Sequence, residues 1–445
     1  MTRVNPRILV LLLAAAGCAA GGEAAPPRSG EPAPAAGAGA REPEAATDRA
    51  AAALGMLTLE SAREQAAAHR RELVAARAEL SAAIARAEGA GRFPDPVLVA
   101  RVESAPLDGR TVDNAELVAG ISQALPLSDR RGAERSVEAA GVARERARLE
   151  VESARVAAEV HGAFATALFA QEAERLRRRF ADEGAALAAA VRARAAAGDA
   201  PADEEARAAL DAARAGQELL AATRLRDAAL RALAAAIGLP DAALDGVAGA
   251  LGPTLALPDL AALSARLADH PALRAADADV ALARAALELA REQRIPDVNL
   301  DLFYRQLGNA DTPAFDVGIS LPLRLFQSQA PRTREAQAQV DAAAARASAR
   351  RVDLAGALRG AHARLASALE MQRFLREEVL PRHAELVRIE EARVRAGDAT
   401  AAALGAVRRE RLAGEIAALD AMREALASWA ELDALVPGAG GVTRG

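Results

Sequence analysis

An internal repeat constrains this chain more than any other feature of its sequence. Four segments of the first half return in the same order in the second half, each about 200 residues further on, which is the mark of a duplicated structural unit. The matching segments are 92–96 with 294–298, 121–127 with 319–323, 161–168 with 362–369, and 194–200 with 393–399. We therefore predict a first structural repeat over 57–248 (helix, β-hairpin, long helix, short helix) and a second over 249–437.

Most of each repeat has the apolar spacing of helices. In the first long segment, Val156, Val160, Phe164 and Leu168 recur every four residues and form one stripe. Aromatic residues make up only 2% of the chain, and alanine between interspersed charges is typical of long, closely packed helices. The predicted helices are 59–91, 133–197 and 202–237 in the first repeat, and 259–293, 332–396 and 400–435 in the second.

The helix lengths suggest how the helices combine into the wall of a tube. At 1.5 Å per residue the helix over 133–197 is about 100 Å long, and two short helices placed end to end reach about the same length. We expect 202–237 to stack on 259–293, and 400–435 to stack on 59–91. The resulting wall is tall enough to cross a periplasm.

Residues between the helices alternate with period two. Val298, Leu300, Leu302 and Tyr304 alternate with mostly polar neighbours; 314–323 repeats the pattern, and 98–103 and 117–122 do so more weakly. Transmembrane strands and half-exposed soluble hairpins show the same alternation, so periodicity leaves both open.

Edge closure favours shared membrane strands. A barrel in lipid has no open edge, and the smallest such barrels have eight strands. One chain supplies only four strands, whereas three copies would supply twelve. The polar strand residues are then expected to face the lumen of the barrel; they are Arg101, Glu103, Glu116, Asn299, Asp301, Arg305 and Asp316.

The beginning of the chain resembles a secretory signal. Arg3 and Arg7 precede a short apolar run, and small residues lead to Cys18, the only cysteine. We predict a signal peptide over 1–17, lipidation of Cys18 and a flexible tether over 18–56 that is rich in Ala, Gly, Pro and Glu. An ordinary signal peptide that contains a cysteine is the alternative. A disordered tail is expected over 438–445.

The sequence gives no sign of catalysis, a bound metal or a cofactor. The repeat pairs His69 with His270 and His161 with His362, and no histidine has zinc-site spacing. His383 is expected on the surface. A net charge of −5 without a basic block does not support nucleic-acid binding. The prediction is that the chain is not an enzyme.

The order of these motifs resembles the TolC family of outer membrane factors, closest in style to the heavy-metal-efflux (CzcC-like) branch. The resemblance implies a mainly α fold with a transmembrane β-barrel, in which long coiled-coil helices and two β-hairpins per chain assemble as a homotrimer. That trimer would form a twelve-stranded barrel on a helical tunnel. Expected partners are outer-membrane lipid, a periplasmic membrane fusion (adaptor) protein and an inner-membrane pump of the RND type.

The resemblance also assigns a role to the hairpin tips, which would contact the adaptor. The glycines are expected in the left-handed conformation that ends a helix, and the aspartates as caps of the helix that restarts. The tip residues are Arg194, Gly198, Asp199, Arg393, Gly397 and Asp398.

The expected function is a passive exit duct of a tripartite efflux pump for metal ions or small toxic compounds. It would sit in the outer membrane of a Gram-negative bacterium, lipid-anchored and extending into the periplasm. A non-porous periplasmic coiled-coil lipoprotein and a pump adaptor are the alternatives. A hydrolase is more remote, because no nucleophile–base pair is present.

Overall fold

The computed structural model describes residues 55–103, 116–249, 255–306, 313–323 and 329–436. The expected signal peptide, Cys18 and the expected tail lie outside these ranges, as does the tether apart from its last two residues. The elements are, in chain order, β1 (Met56–Leu57), α1 (Leu59–His69), α2 (Arg71–Gly89), β2 (Val97–Glu103), β3 (Glu116–Leu125), α3 (Arg130–Ala196), α4 (Ala202–Ala236), β4 (Gly246–Val247), α5 (Leu260–Arg266), α6 (Pro271–Glu292), β5 (Val298–Gln306), β6 (Pro313–Ser320), α7 (Ala330–Phe374), α8 (Leu380–Ala396) and α9 (Ala401–Leu435).

The first long helix, α3, is continuous over 67 residues, as its apolar stripe predicted. It begins where the carboxylate of Asp129 accepts a hydrogen bond from the N–H of Gly132 at 3.2 Å, which satisfies one of the free donors at a helix start. The N–H of Asp129 in turn donates to Glu292 at 3.0 Å. The start of α3 is therefore fixed to the end of α6.

The second long helix is interrupted, whereas a single helix over 332–396 was expected. A π-helical turn over Leu375–Val379 separates α7 from α8. Pro381, in the first turn of α8, is the physical reason, because proline has no N–H to donate to the carbonyl one turn earlier. A wide turn accommodates the lost bond. No residue of this turn is buried.

The short helical segment that precedes each β-hairpin is also interrupted, at matching positions of the two repeats. Arg70 separates α1 from α2, and its ψ of 119° is extended. In the second repeat His270 has a ψ of 134° and precedes Pro271, which disfavours helical geometry in the residue before it. The predicted helices 59–91 and 259–293 are therefore each divided in two, at Arg70 and at His270.

The short helices stack within each repeat, so the expected stacking between repeats is wrong. The Arg70 guanidinium donates to the carbonyl oxygen of Ala236 at 2.9 Å, which joins the end of α4 to the start of α2. In the second repeat the side chain of His270 hydrogen-bonds the backbone of Ala434, which joins α9 to α6. Length could not decide this, because the short segments are all similar in length.

The helices form one layer with two free flanks. Helices α2 and α4 pack against α3, which packs against α6 and α9, and these pack against α7 and α8. In this order α2 and α4 occupy one flank, and α7 and α8 the other. None of the helices in the described ranges is at once long and apolar enough to cross a membrane.

The largest hydrophobic clusters lie where the short helices meet. The first is built around the parallel pair of β1 and β4, and the second around the junction of α6 with α9. The leading side chains are Leu57, Phe164, Leu233, Ile237 and Val247 in the first cluster, and Leu358, Leu365 and Leu432 in the second.

The two predicted hairpins form one antiparallel sheet in the order β2-β3-β5-β6. Leu98 pairs with Ile121, Ile121 with Leu302, and Leu302 with Val317, so these side chains share one face. β2 and β6 are the two edges. The observed architecture confirms the expected class, mainly helical with two β-hairpins.

Candidate functional site

The strand register places all seven candidate lumen residues on one face of the sheet. Glu103 lies opposite Glu116, and Asn299 opposite Ser320. Successive side chains of a strand point to opposite faces, so alternate positions of each strand share this face. We call it the polar face, formed by Arg101, Glu103, Glu116, Asn299, Asp301, Arg305 and Asp316.

Arg305 holds the polar face together at one end of the sheet. Its guanidinium lies 2.6 Å from the Glu116 carboxylate, 2.9 Å from Asp316 and 3.4 Å from Glu103. Arg101 adds an ion pair with Glu103 at 2.6 Å. One arginine thereby connects all four strands. Asn299 and Asp301 lie towards the other end of β5 and take no part in these ion pairs.

The opposite face of the sheet is apolar and exposed. Phe315, Val317 and Ile319 of edge strand β6 are 73%, 70% and 75% exposed. Leu98 and Leu302 on the same face are 63% and 52% exposed. A soluble sheet with one apolar face packs that face on a core, whereas the apolar face of this sheet is exposed and its charges lie on the opposite face.

The hairpin tips have the predicted glycine conformation. Gly198 and Gly397 have φ values of +83° and +85°, the left-handed region that glycine adopts without strain. The predicted aspartate caps are wrong. The first tip restarts after Pro201 without a side-chain cap, and in the second the Thr400 side chain accepts from the N–H of Ala403. Each aspartate lies two residues before the N-cap position of the helix that follows it.

The tip arginines close the turns from within. Arg194 donates to the carbonyl oxygen of Asp199 at 3.0 Å, and Arg393 to that of Asp398 at 3.4 Å. Both guanidiniums remain about half exposed. Each arginine therefore stabilises its own turn, and its exposed guanidinium still has N–H groups that a partner protein could bind.

A link between the two tips had no signal in the sequence. The Glu204 carboxylate accepts from the N–H of Ala401 at 3.2 Å and lies 3.7 Å from Arg194. Its neighbours face other partners: Glu205 lies 3.4 Å from Arg192, and Asp203 pairs one turn along its own helix. The acidic cluster at this helix start is therefore divided among separate ion pairs.

His161 and His383 contact neighbouring helices, and the histidines that the structure describes are not grouped into a site. His161 is 7% exposed, its Nδ1 is 3.3 Å from Arg63, and its ring meets Trp429 edge to face. Burial, followed by the charge of Arg63, lowers the pKa of His161 to about 4. His383 is not the surface residue expected, because its ring lies against Gly414. Across the described part of the chain no cluster of His, Cys, Asp or Glu is arranged to hold a metal ion.

The chain matches known proteins in its second half and in its fold. Residues 262–438 match the family model described as outer membrane efflux protein. No curated protein matches the sequence.

Solved outer-membrane proteins, including two outer-membrane channels, share the fold over most of their length. VceC from Vibrio cholerae is 20% identical with a TM-score of 0.69, over 86% of this chain and 97% of that one. MtrE from Neisseria gonorrhoeae is 23% identical with a TM-score of 0.65, over 87% and 90%. CmeC from Campylobacter jejuni is 12% identical with a TM-score of 0.70, over 87% of each chain. Residues 262–438 are thus similar to outer membrane efflux proteins, and the chain shares the fold of these solved outer-membrane proteins.

Proposed function

We propose that this chain is the outer-membrane channel subunit of a tripartite efflux pump. The observation that carries the proposal is the open sheet, whose apolar face is exposed and whose charged face is connected through Arg305. Four strands do not close, and open strand edges do not occur in hydrocarbon. Pairing of β6 of one copy with β2 of the next removes both edges.

The helical layer supports the same assembly. Every exposed large hydrophobic side chain on a described helix lies on a flank, on α2, α4, α7 or α8. None lies on α3, α6 or α9, the helices enclosed within the layer. The side chains are Val74, Ile84, Leu210, Leu220 and Leu225 on one flank, and Val352, Met371, Phe374, Leu386 and Ile389 on the other.

The apolar residues of the two flanks lie at matching heights. The height of each residue is counted in residues from the glycine at its hairpin tip. Leu220 follows Gly198 by nearly the same number of residues as Phe374 precedes Gly397. The two counts differ by about one residue, or about 1.5 Å along a helix. Leu225 and Met371 match in the same way. The flank of one copy therefore fits the opposite flank of the next, and repetition of this contact closes a ring.

A double cysteine variant tests the assembly. Leu220→Cys with Phe374→Cys places thiols on opposite flanks, so oxidation joins only different copies. We expect covalent dimers and trimers on a denaturing gel and nothing larger. Leu220→Cys with Leu225→Cys, both on one flank, is the control and should give no trimer. A monomer after oxidation of the first variant would contradict the proposal.

Planar bilayers test the pore itself. The purified trimer should conduct ions as a single large pore, because its strands enclose a water-filled lumen lined by the polar face. A trimer that gives no conductance at all would instead favour the non-porous lipoprotein. The cargo we propose is metal ions or small toxic compounds, moved by an inner-membrane pump of the RND type.

The tips are the proposed contact with a periplasmic adaptor, because both turns expose a guanidinium beside a glycine-ended helix. Arg194→Glu with Arg393→Glu should abolish export while a folded trimer remains. Arg192→Glu with Arg395→Glu is the matched control, since it makes the same charge change on the same helices. Equal loss of export in the two pairs would remove the specific role.

Anchoring is proposed through acylation of Cys18 after removal of the signal peptide. Mass spectrometry of the mature chain tests it, because acylation adds a mass that Cys18→Ser should lack. A detergent-free soluble fraction of the wild-type protein would contradict both the anchor and the outer-membrane location.

A further inference from the structure

A groove with an excess of positive charge lies in the part of the helical layer that is nearer the β-sheet. It is lined by α3, α6 and α7 and has a volume of about 920 Å³. The α6 residues that line it recur every three or four positions and are mostly alanines, so they form a low floor. The charged side chains around that floor are Arg144, Arg148, Glu152, Asp279, Arg346 and Arg350.

The acidic side chains of the groove are already paired. Glu152 forms an ion pair with Arg155, which lies outside the groove. Asp279 is 3.9 Å from Arg148. Arg144 is held by the buried Glu145 at 2.5 Å. The charges that α3 and α6 bring to the groove therefore nearly balance.

Arg346 and Arg350 on α7 are not balanced. Within the described ranges neither makes a hydrogen bond or an ion pair, whereas their neighbour Arg351 pairs with Asp277 at 2.6 Å. They are one turn apart on the same helix face, a spacing at which like charges destabilise a helix. Burial is the main cause of the lowered pKa of His270, and the charge of Arg350 lowers it further. The field of this guanidinium thus reaches its surroundings.

We propose that this groove binds anionic solutes that carry a phosphate or carboxylate group during their passage through the duct. Two guanidiniums one turn apart present parallel donors to such a group. A bound anion would also remove the repulsion between Arg346 and Arg350. The alanine floor leaves the space that the solute needs. The proposal rests on the proposed function, because it places the groove inside the channel.

Titration of inorganic pyrophosphate into the purified trimer tests the binding. Loss of two charge-assisted contacts should make binding by Arg346→Gln with Arg350→Gln weaker by about tenfold or more. Arg359→Gln, an exposed arginine on α7 outside the groove, is the control and should bind as the wild type does. Equal affinity of the double variant and the wild type would overturn the site.

Charge selectivity tests where the groove opens. In a planar bilayer under a salt gradient, the double variant should shift the reversal potential towards cation preference, while Arg359→Gln leaves it unchanged. Weakened pyrophosphate binding with unchanged selectivity would put the groove on the outer surface of the wall, where lipid phosphate is the anion source, and would overturn its place in the duct. A wild-type trimer that binds pyrophosphate but never conducts would overturn the proposed function and leave the anion site standing.

Discussion

Glu204 in the first hairpin tip accepts a hydrogen bond from the N–H of Ala401 in the second, at 3.2 Å. Its side chain is only 11% exposed and also lies 3.7 Å from Arg194. An N–H at a helix start carries partial positive charge, so a carboxylate is a strong partner for it. The two tips of one chain are therefore connected by one side chain.

Glu204→Ala should loosen that connection. Removal of the acceptor costs about 1–3 kcal/mol locally, because the N–H of Ala401 is left with no partner in the protein. We expect a higher mean conductance in planar bilayers and faster proteolysis at the tips. Glu205→Ala, which removes only an exposed ion pair, is the control. If the two variants conduct alike, Glu204 does not hold the tips together.

His161 predicts loss of stability in mild acid. Its pKa in the folded chain is about 4, while a histidine in the unfolded chain keeps its ordinary pKa of 6.5. The unfolded chain therefore binds a proton first as pH falls, and stability drops between about pH 6.5 and pH 4 by roughly 2–3 kcal/mol. Thermal unfolding of His161→Gln should depend less on pH across this window. His69→Gln, at an exposed position, should keep the wild-type slope.

Ile319→Arg should impair membrane insertion of the trimer. The side chain is 75% exposed on the apolar face, and an arginine on a lipid-facing strand costs roughly 2–4 kcal/mol at mid-bilayer. Ser320→Arg puts the same charge on the polar face, one residue away, and should insert normally. The measurement is the fraction of trimer in outer-membrane preparations. Equal insertion of both variants would mean that this face does not meet lipid.

The π-helical turn over Leu375–Val379 should be the least protected part of the second long helix. The matching stretch of α3 is held by Glu174, which is 5% exposed and bonds to Arg178, Thr223 and Arg226. Amide hydrogen exchange should therefore be faster at 375–380 than at 174–178. Pro381→Ala should slow exchange in the turn, because a regular helix then becomes available. Uniform exchange along both helices would contradict this expectation.

Periodicity predicted the elements well because long amphipathic stretches have few alternatives. The span of β5, Val298–Gln306, is the one the alternation predicted. Strand β6 ends at Ser320 instead of continuing to residue 323, because Pro322 has no N–H to donate to a ladder. The interruption of the second long helix had a signal in Pro381 that the apolar spacing obscured.

Contacts between distant segments had no such signal. Glu204 and Ala401 are 197 residues apart, and no local pattern marks either as a partner of the other. Stacking of the short helices depends on the bond from Arg70 to Ala236, which length alone could not foresee. The second tip has two residues able to cap a helix, Asp398 and Thr400, so sequence alone could not choose between them.

The two halves of this chain are not interchangeable, although their sequence segments recur in the same order. At the same height of the wall, the first half has a buried carboxylate that fastens α3 to α4, and the second has a wide turn with no buried residue. A chimera with two first halves should assemble into a more rigid helical layer that resists dilation. A chimera with two second halves should be more flexible and should conduct ions in its closed state. The two repeats thus share their order of elements, but among the residues that the structure describes only the first has a buried charged contact between its long and short helices at this level.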